Sequence, residues 1–280
     1  MLITGVAVIS LILAVITGIL TVSVWAALAA FVGALLGQAL LIFVALVIIC
    51  GCVDLNKVQE RDAPFFRWLV DLLVEAAFPI LSTSIKAEGL QCVPKSGRFL
   101  LVCNHISDVD PLALLRIFRK QQVCFISKRE NDRRFIIGPL LHKIACQPIH
   151  RENDREALKT ILRCIKMIKE DACSIAVFPE GYIRDDHLLR HFRHGVFKIA
   201  QKTGVPIVVC TIRNADKVFH NAARLRRTQV EVHLVKVIQP QEYEGLTSVA
   251  LSEQVYNLMA DDLGPALVYQ EGKDESAENT

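Results

Sequence analysis

The hydrophobic pattern divides the chain sharply. From Met1 to Val53 no side chain is charged, and the first charge is Asp54. A helix crossing a hydrocarbon core of about 30 Å needs about 20 apolar residues at about 1.5 Å each. The run is too long for one span and long enough for two. These are predicted near Leu2–Leu20 and Ala27–Ile49, with a tight turn around Thr21–Trp25 and Trp25 suited to an interface. A cleavable signal peptide fits poorly, because no basic residue follows Met1 and the apolar stretch is too long. One span followed by a buried helix is the remaining competitor.

Beyond Val53 the pattern becomes mixed. Residues 61–81, RDAPFFRWLVDLLVEAAFPIL, read as an amphipathic helix lying on a membrane or against a core, with Pro79 ending it. Strand-like apolar runs then recur at 98–104, 123–127, 174–178, 205–212 and 230–238. Helical periodicity fills 111–120, 154–171, 194–203 and 251–263. In the second of these, Leu158, Ile161, Leu162, Ile165 and Ile168 share one face. Strands alternating with helices predict an α/β fold with a mostly parallel central sheet flanked by helices, preceded by an N-terminal transmembrane helical hairpin. The expected division is two membrane helices in 1–53, an amphipathic interfacial linker in 54–84, an α/β domain in 85–268 and a disordered polar tail in 269–280.

Composition refines this picture. All 32 Lys and Arg and all 29 Asp and Glu lie beyond Val53, for a formal net charge of +3. So mild an excess gives no ground for nucleic-acid binding. It fits a domain held near anionic lipid. Lys57, Arg61 and Arg67 follow the second predicted span and orient that end towards the cytoplasm, which returns both termini to that side. The nine cysteines show no C-x-x-C pair and no zinc spacing. Most sit in apolar runs and are expected to be reduced, buried small hydrophobes, and no metal is expected.

Candidate chemistry lies where strands end. Asn104–Asp110, NHISDVD, follows the first core strand and precedes a helix starting near Pro111. In open α/β sheets ligands bind at that edge. There Asp110 is within reach of one nitrogen of His105, leaving the other basic, as in a Ser-His-Asp triad without its serine. Ser107 is a poor nucleophile, since no G-x-S-x-G elbow occurs. A substrate hydroxyl would take the serine's place, deprotonated by His105 as it attacks a carbonyl. The competing reading makes Asp110 a helix cap; Asp108 is a second candidate for either task. The second stretch, Val177–Asp186 (VFPEGYIRDD), also leaves a strand. It sets Glu180 before a glycine, Gly181, and is followed by Arg184, Arg190, Arg193 and three histidines, counter-charge for a phosphate.

Together these stretches carry a resemblance. A histidine, four residues, an aspartate, and an FPEG whose glutamate lies 75 positions after the histidine is similar to the glycerolipid acyltransferases, above all the 1-acylglycerol-3-phosphate (lysophosphatidic acid) acyltransferase family. SKRE (127–130), ACQPIHR (145–151) and VPIVVCTI (205–212) resemble further blocks in the right order. The resemblance covers roughly residues 85–240. It implies a catalytic pair His105 and Asp110, a phosphate contact at Arg151 with Lys128 or Arg184 assisting, and acceptor positioning by Glu180 and Gly181. It also implies an acyl thioester, on coenzyme A or acyl carrier protein, as co-substrate, with no further cofactor. Two departures stand out. Tyr182 occupies a place usually held by threonine, and His150 one often held by an acid. They keep open a different lysolipid acceptor. Hydrolysis and a non-catalytic lipid-binding membrane protein are the other rivals.

Overall fold

A computed structural model describes residues 2–21, 23–150 and 152–270. Two apolar helices, α1 (Leu2–Thr21) and α2 (Val24–Gly51), pack antiparallel as a hairpin. Ser23 caps α2, its hydroxyl accepting from the Ala26 N–H. The pair approaches closely at Gly18, where a Cβ would lie 3.1 Å from that of Ala27. A part-buried polar link joins Gln38 Nε2 to Ser10 Oγ at 2.8 Å, the kind of bond that holds helices together where water is absent. Both helices are long and apolar enough to cross a membrane. Leu11, Ile12, Leu20, Leu36 and Leu41 are exposed. Neither helix is therefore the buried core helix that the competing reading required.

The helix α3 (Pro64–Ile80) begins with a proline at its first position, where a missing N–H costs nothing. Pro79 lies inside its last turn and the helix continues to Ile80, so the expected stop at Pro79 falls one residue early. Its inner face buries Leu69, Val70, Val74 and Phe78. Phe65 and Trp68 stay exposed on the outer face. Arg67, read above as a charge orienting the chain, is buried instead. It donates to both oxygens of Asp62, at 2.6 and 2.8 Å, and to the Val123 and Ile144 carbonyls. Arg61 similarly donates to the Glu170 carbonyl.

The remaining elements are β1 (Thr83–Glu88), β2 (Leu100–Cys103), α4 (Asp110–Ile117), β3 (Val123–Lys128), α5 (Ile137–Lys143), β4 (Gln147–Ile149) and α6 (Asp154–Lys169). They continue with β5 (Ser174–Val177), α7 (Lys198–Thr203), β6 (Ile207–Arg213), α8 (Val218–Ala223), β7 (Thr228–Ile238), α9 (Pro240–Tyr243) and α10 (Ser248–Leu263). The strands form one seven-stranded sheet ordered β1-β7-β6-β2-β5-β3-β4. Every neighbouring pair is parallel except β6–β7. Helices flank it, as the alternating pattern predicts. The central strands are fully buried, with Leu100, Leu101, Val102 and Cys103 at 0% exposure, as expected for a parallel sheet covered on both faces.

Two strands escape the periodicity reading. β1 alternates buried and exposed positions and carries Lys86 and Glu88. β4 has three residues, includes Pro148 and lies at the sheet edge, where a missing N–H is tolerated. The cysteines need one correction. Cys124 on β3 and Cys173 beside β5 are joined as a disulfide, with Cα atoms 6.5 Å apart, because these strands are neighbours in register. Cys50, Cys103, Cys146, Cys164 and Cys210 are free and buried, whereas Cys52 and Cys92 are exposed. Of the tail 269–280, residues 271–280 lie outside the described residues. Tyr269 is held, its N–H donating to Leu189 O at 3.0 Å and the Arg190 guanidinium lying 3.6 Å from its ring centroid.

Candidate active site

Because β2, β5, β3 and β4 run parallel and adjacent, the loops leaving their C-terminal ends gather along one edge of the sheet. The loop after β2 carries His105. It is fastened at its root by Asn104, whose Nδ2 donates to Ile212 O at 3.0 Å and whose Oδ1 accepts from Ile212 N at 2.7 Å. The amide thereby continues the pairing of β2 with β6 for one more step by side-chain means. The sequence reading gave Asn104 no task. Its position immediately after a buried strand was the available signal.

Asp110 is fully buried at the start of α4. One oxygen, Oδ2, accepts from His105 Nδ1 at 2.9 Å, from Ile106 N at 2.7 Å and from Ser107 N at 2.8 Å. All three donors precede it in the chain. The carboxylate therefore curls the loop back on itself rather than capping the helix ahead, and it directs the imidazole. Burial pushes the Asp110 carboxyl above its ordinary range, against the opposing pull of His105 and the two backbone N–H groups. His105 is stacked on Phe178, with ring centroids 4.1 Å apart and planes 14° from parallel. Phe125 in turn stacks with Phe178, their ring centroids 5.8 Å apart. With Nδ1 on Asp110 and one ring face covered, Nε2 is the nitrogen left for the cavity.

That cavity, of about 310 Å³, is lined by His105, Phe125, Lys128, Arg134, Phe178 and Tyr182 among others. A second cavity of about 470 Å³ adjoins it, lined by Lys128, Arg129, Arg133, His150, Glu152 and Tyr182 among others. The two share Lys128 and Tyr182 as walls. An apolar floor beside an imidazole, opening onto a group of cations, suits a molecule with a reactive polar group between an apolar and an anionic part.

The structure brings His105, Asp110 and Lys128 together. It places Glu180 and Gly181 behind the cavities. Glu180 Oε1 accepts from the His105 N–H at 2.8 Å and Oε2 from the Arg190 N–H at 3.2 Å, so the carboxylate clamps two loops. Gly181 has φ of +82°, and a Cβ there would meet Arg193 Nε at 3.3 Å, so glycine is required for backbone reasons. Arg184 lines neither cavity; its guanidinium lies 5.8 Å from the Tyr182 ring centroid. Arg190 pairs with Asp186 at 2.5 Å, and His191 stacks on Tyr256. Arg151 lies outside the described residues. Phe178 and Arg134 are cavity walls for which the sequence reading had no role, and Tyr182, the departure from threonine noted above, is a wall of both cavities.

Burial raises the Glu180 carboxyl to about 7 from an ordinary 4.5, outweighing its two backbone bonds. The folded chain then holds a proton that the unfolded chain has already released, so this group weakens folding as pH rises from its ordinary value to about 7. The denaturation midpoint of the wild type is expected to fall between about pH 5 and pH 8 more steeply than that of Glu180→Gln. Equal slopes in chemical denaturation would show that Glu180 titrates normally.

The comparisons with known proteins concern the sequence and the fold. Residues 84–213 match the family model described as Acyltransferase. A chloroplastic 1-acyl-sn-glycerol-3-phosphate acyltransferase of Brassica napus is 34% identical over 142 residues, covering 50% of this chain and 40% of that relative. Its Arabidopsis thaliana counterpart is 31% identical over 172 residues, covering 60% of this chain and 48% of that relative. A probable enzyme of the same name from Mycoplasma pneumoniae is 29% identical over 181 residues, covering 63% and 67%. The chain thus spans less than half the length of the two plant relatives. In fold it resembles the crystal structure of the LPA acyltransferase PlsC from Thermotoga maritima, with a TM-score of 0.58 and 20% identity over 76% of this chain and 80% of that one. The histidine-aspartate loop and the FPEG turn thus lie within the stretch that matches the Acyltransferase family model, and the chain is similar in sequence to 1-acyl-sn-glycerol-3-phosphate acyltransferases.

Proposed function

We propose that the protein transfers a fatty acyl group from an acyl thioester to the free hydroxyl of lysophosphatidic acid, giving phosphatidic acid. The observation that carries this is the 2.9 Å bond from His105 Nδ1 to Asp110, which leaves Nε2 facing a cavity that adjoins a basic one. The acceptor's phosphate sits among Lys128, Arg129 and Arg133, with Arg151 as a further partner, and its hydroxyl meets Nε2. His105 takes the hydroxyl proton as the oxygen bonds to the thioester carbonyl carbon. The tetrahedral oxyanion collapses, the carbon–sulfur bond breaks, and the leaving thiolate recovers the proton from His105. Asp110 stabilises the imidazolium in between. Glu180 and Gly181 act on the acceptor through the loops they fix, and Arg184 acts through Tyr182.

Residues 1–53 anchor the protein as two membrane spans, residues 54–84 lie at the interface, and residues 85–268 form the catalytic domain on the cytoplasmic face. The exposed Phe65 and Trp68 on α3 support an interfacial position. Holding the site at the headgroup plane avoids drawing acyl chains through water, at about 0.8 kcal/mol per CH₂. The test is incubation of the membrane protein with labelled acyl-coenzyme A or acyl carrier protein, with and without lysophosphatidic acid. Label appearing in phosphatidic acid only when the acceptor is present supports acyl transfer. Labelled free fatty acid alone makes the protein a hydrolase, and no product with either donor makes it a lipid-binding protein.

A further inference from the structure

The turn between α8 and β7 carries a feature that neither the sheet nor the site explains. Leu225 is 90% exposed, more than any other large apolar side chain among the described residues. It also holds a φ of +54°, a left-handed conformation that a leucine rarely adopts. The turn is nonetheless fixed. The N–H groups of Leu225 and Arg226 donate to Ala222 O and Asn221 O at 3.0 and 2.9 Å, and Asn221 Nδ2 donates to Thr228 Oγ1 at 3.0 Å. A bulky apolar residue locked in an unfavourable backbone state, with its side chain in solvent, points to a contact made outside the chain. Its chain neighbours Arg224, Arg226 and Arg227 are all exposed. Arg224 meets His220, while Arg226 and Arg227 join no ion pair among the described residues. Phe219 on α8 is exposed as well. So is Ile80, two residues before Ser82, whose carbonyl accepts from the Thr228 N–H.

The topology decides which surface this turn faces. β7 runs antiparallel to β6, and β6 parallel to β2, so Thr228 begins β7 at the sheet edge where β2 ends and His105 follows. The end of α2 reaches the same edge. Cys50 Sγ lies 3.7 Å from Ile136 O, in the segment between Arg134 and Leu141, two walls of the His105 cavity. The apolar hairpin therefore joins this edge on the β3 side of His105, and the Leu225 turn stands on the β7 side.

We propose that the Arg224–Arg227 turn is a second membrane contact: Leu225 enters the interfacial layer of an anionic bilayer while the three arginines meet its headgroups. Cations grouped around an inserting apolar side chain complement an anionic lipid surface, and this surface is continuous with the bilayer that the hairpin spans. With the hairpin on one flank and the turn on the other, the edge carrying His105 is held against the headgroup layer. The inference rests on reading α1 and α2 as membrane spans and is independent of the acyl-transfer chemistry.

The experiment uses the full-length protein with its two exposed free thiols removed by Cys52→Ser and Cys92→Ser. Leu225→Cys then carries an environment-sensitive dye, and the protein is placed in nanodiscs containing lipid with a nitroxide near the headgroup. In discs of equal parts phosphatidylcholine and phosphatidylglycerol, the dye is expected to shift to the blue and to be quenched. Arg224→Gln, Arg226→Gln and Arg227→Gln together are expected to lower the docked-to-undocked ratio about 100-fold. A dye on Lys202→Cys, exposed on α7 at the opposite end of β6, is expected to stay unquenched. Absence of quenching at position 225 overturns the proposal, and a blue shift without quenching does so too, because the turn then packs against protein. Equal quenching in pure phosphatidylcholine discs, or quenching that survives the triple substitution, removes the role of charge and overturns it. Equal quenching at position 202 overturns the assignment of the edge. Co-elution with the disc reports the hairpin separately, and a protein that does not co-elute refutes the anchoring itself and the second contact with it.

Discussion

Replacing His105 with alanine is expected to lower kcat for acyl transfer by about 100- to 10,000-fold, the range a positioned general base supplies. The substitution removes the one nitrogen turned to the cavity. It leaves the anchoring of the loop intact, because Asn104 still binds Ile212, Glu180 still accepts from the backbone N–H of residue 105, and Asp110 still accepts from Ile106 and Ser107. The variant should therefore insert in membranes and show an unchanged circular dichroism spectrum. Initial rates with labelled thioester and lysophosphatidic acid decide the matter. Activity above a few per cent of wild type would mean that another group removes the proton.

Asp110→Asn is expected to cost on the order of 1,000- to 10,000-fold in kcat, with little change in the KM of either substrate. An amide oxygen can still accept from the N–H groups of Ile106 and Ser107, so the loop keeps its curl. The negative charge is lost, and with it the stabilisation of the imidazolium and the preference for a proton on Nδ1. The fold also bears a cost. Asp110 Oδ1 is buried without a hydrogen-bond partner among the described residues. An amide nitrogen placed there is a buried donor lacking an acceptor, destabilising by about 1–3 kcal/mol. If Asp110 served only to start α4, the variant would lose stability alone, and its kcat would stay near wild type. Measuring kcat and the thermal midpoint together separates the two roles.

These substitutions also mark how far the sequence could be read. Long buried strands announce themselves as apolar runs, and β2, β3, β5, β6 and β7 were legible for that reason. The β1 strand was not, because Lys86 and Glu88 pair with each other on its exposed side and break the run. The sequence reading also assigned nothing to α5, where Gly138 and Pro139 are poor helix formers; a Cβ at 138 would run into the Asp132 carbonyl, so the glycine serves a close approach to the segment before the helix. At the site, spacing sufficed for His105 and Asp110, which one short loop brings together. It did not suffice for Glu180, whose neighbour is the backbone of a residue 75 positions earlier. Nor could spacing find Phe178, whose contact with His105 follows from the adjacency of β2 and β5 and not from its place in the chain.

The lone antiparallel joint between β6 and β7 has a bearing on how the molecule is made. β7 is the strand that seats β1, from Thr83 against Thr228 to Glu88 against His233. Until the ribosome has delivered that last strand, β1 has no ladder to join, although the apolar helices before it emerged first. The strands β2, β5 and β3 beside the candidate site can pair among themselves in the meantime, since none of them neighbours β1. A nascent chain thus carries β1 unpaired beside the apolar helices that precede it until β7 follows, a state prone to mispairing with other chains.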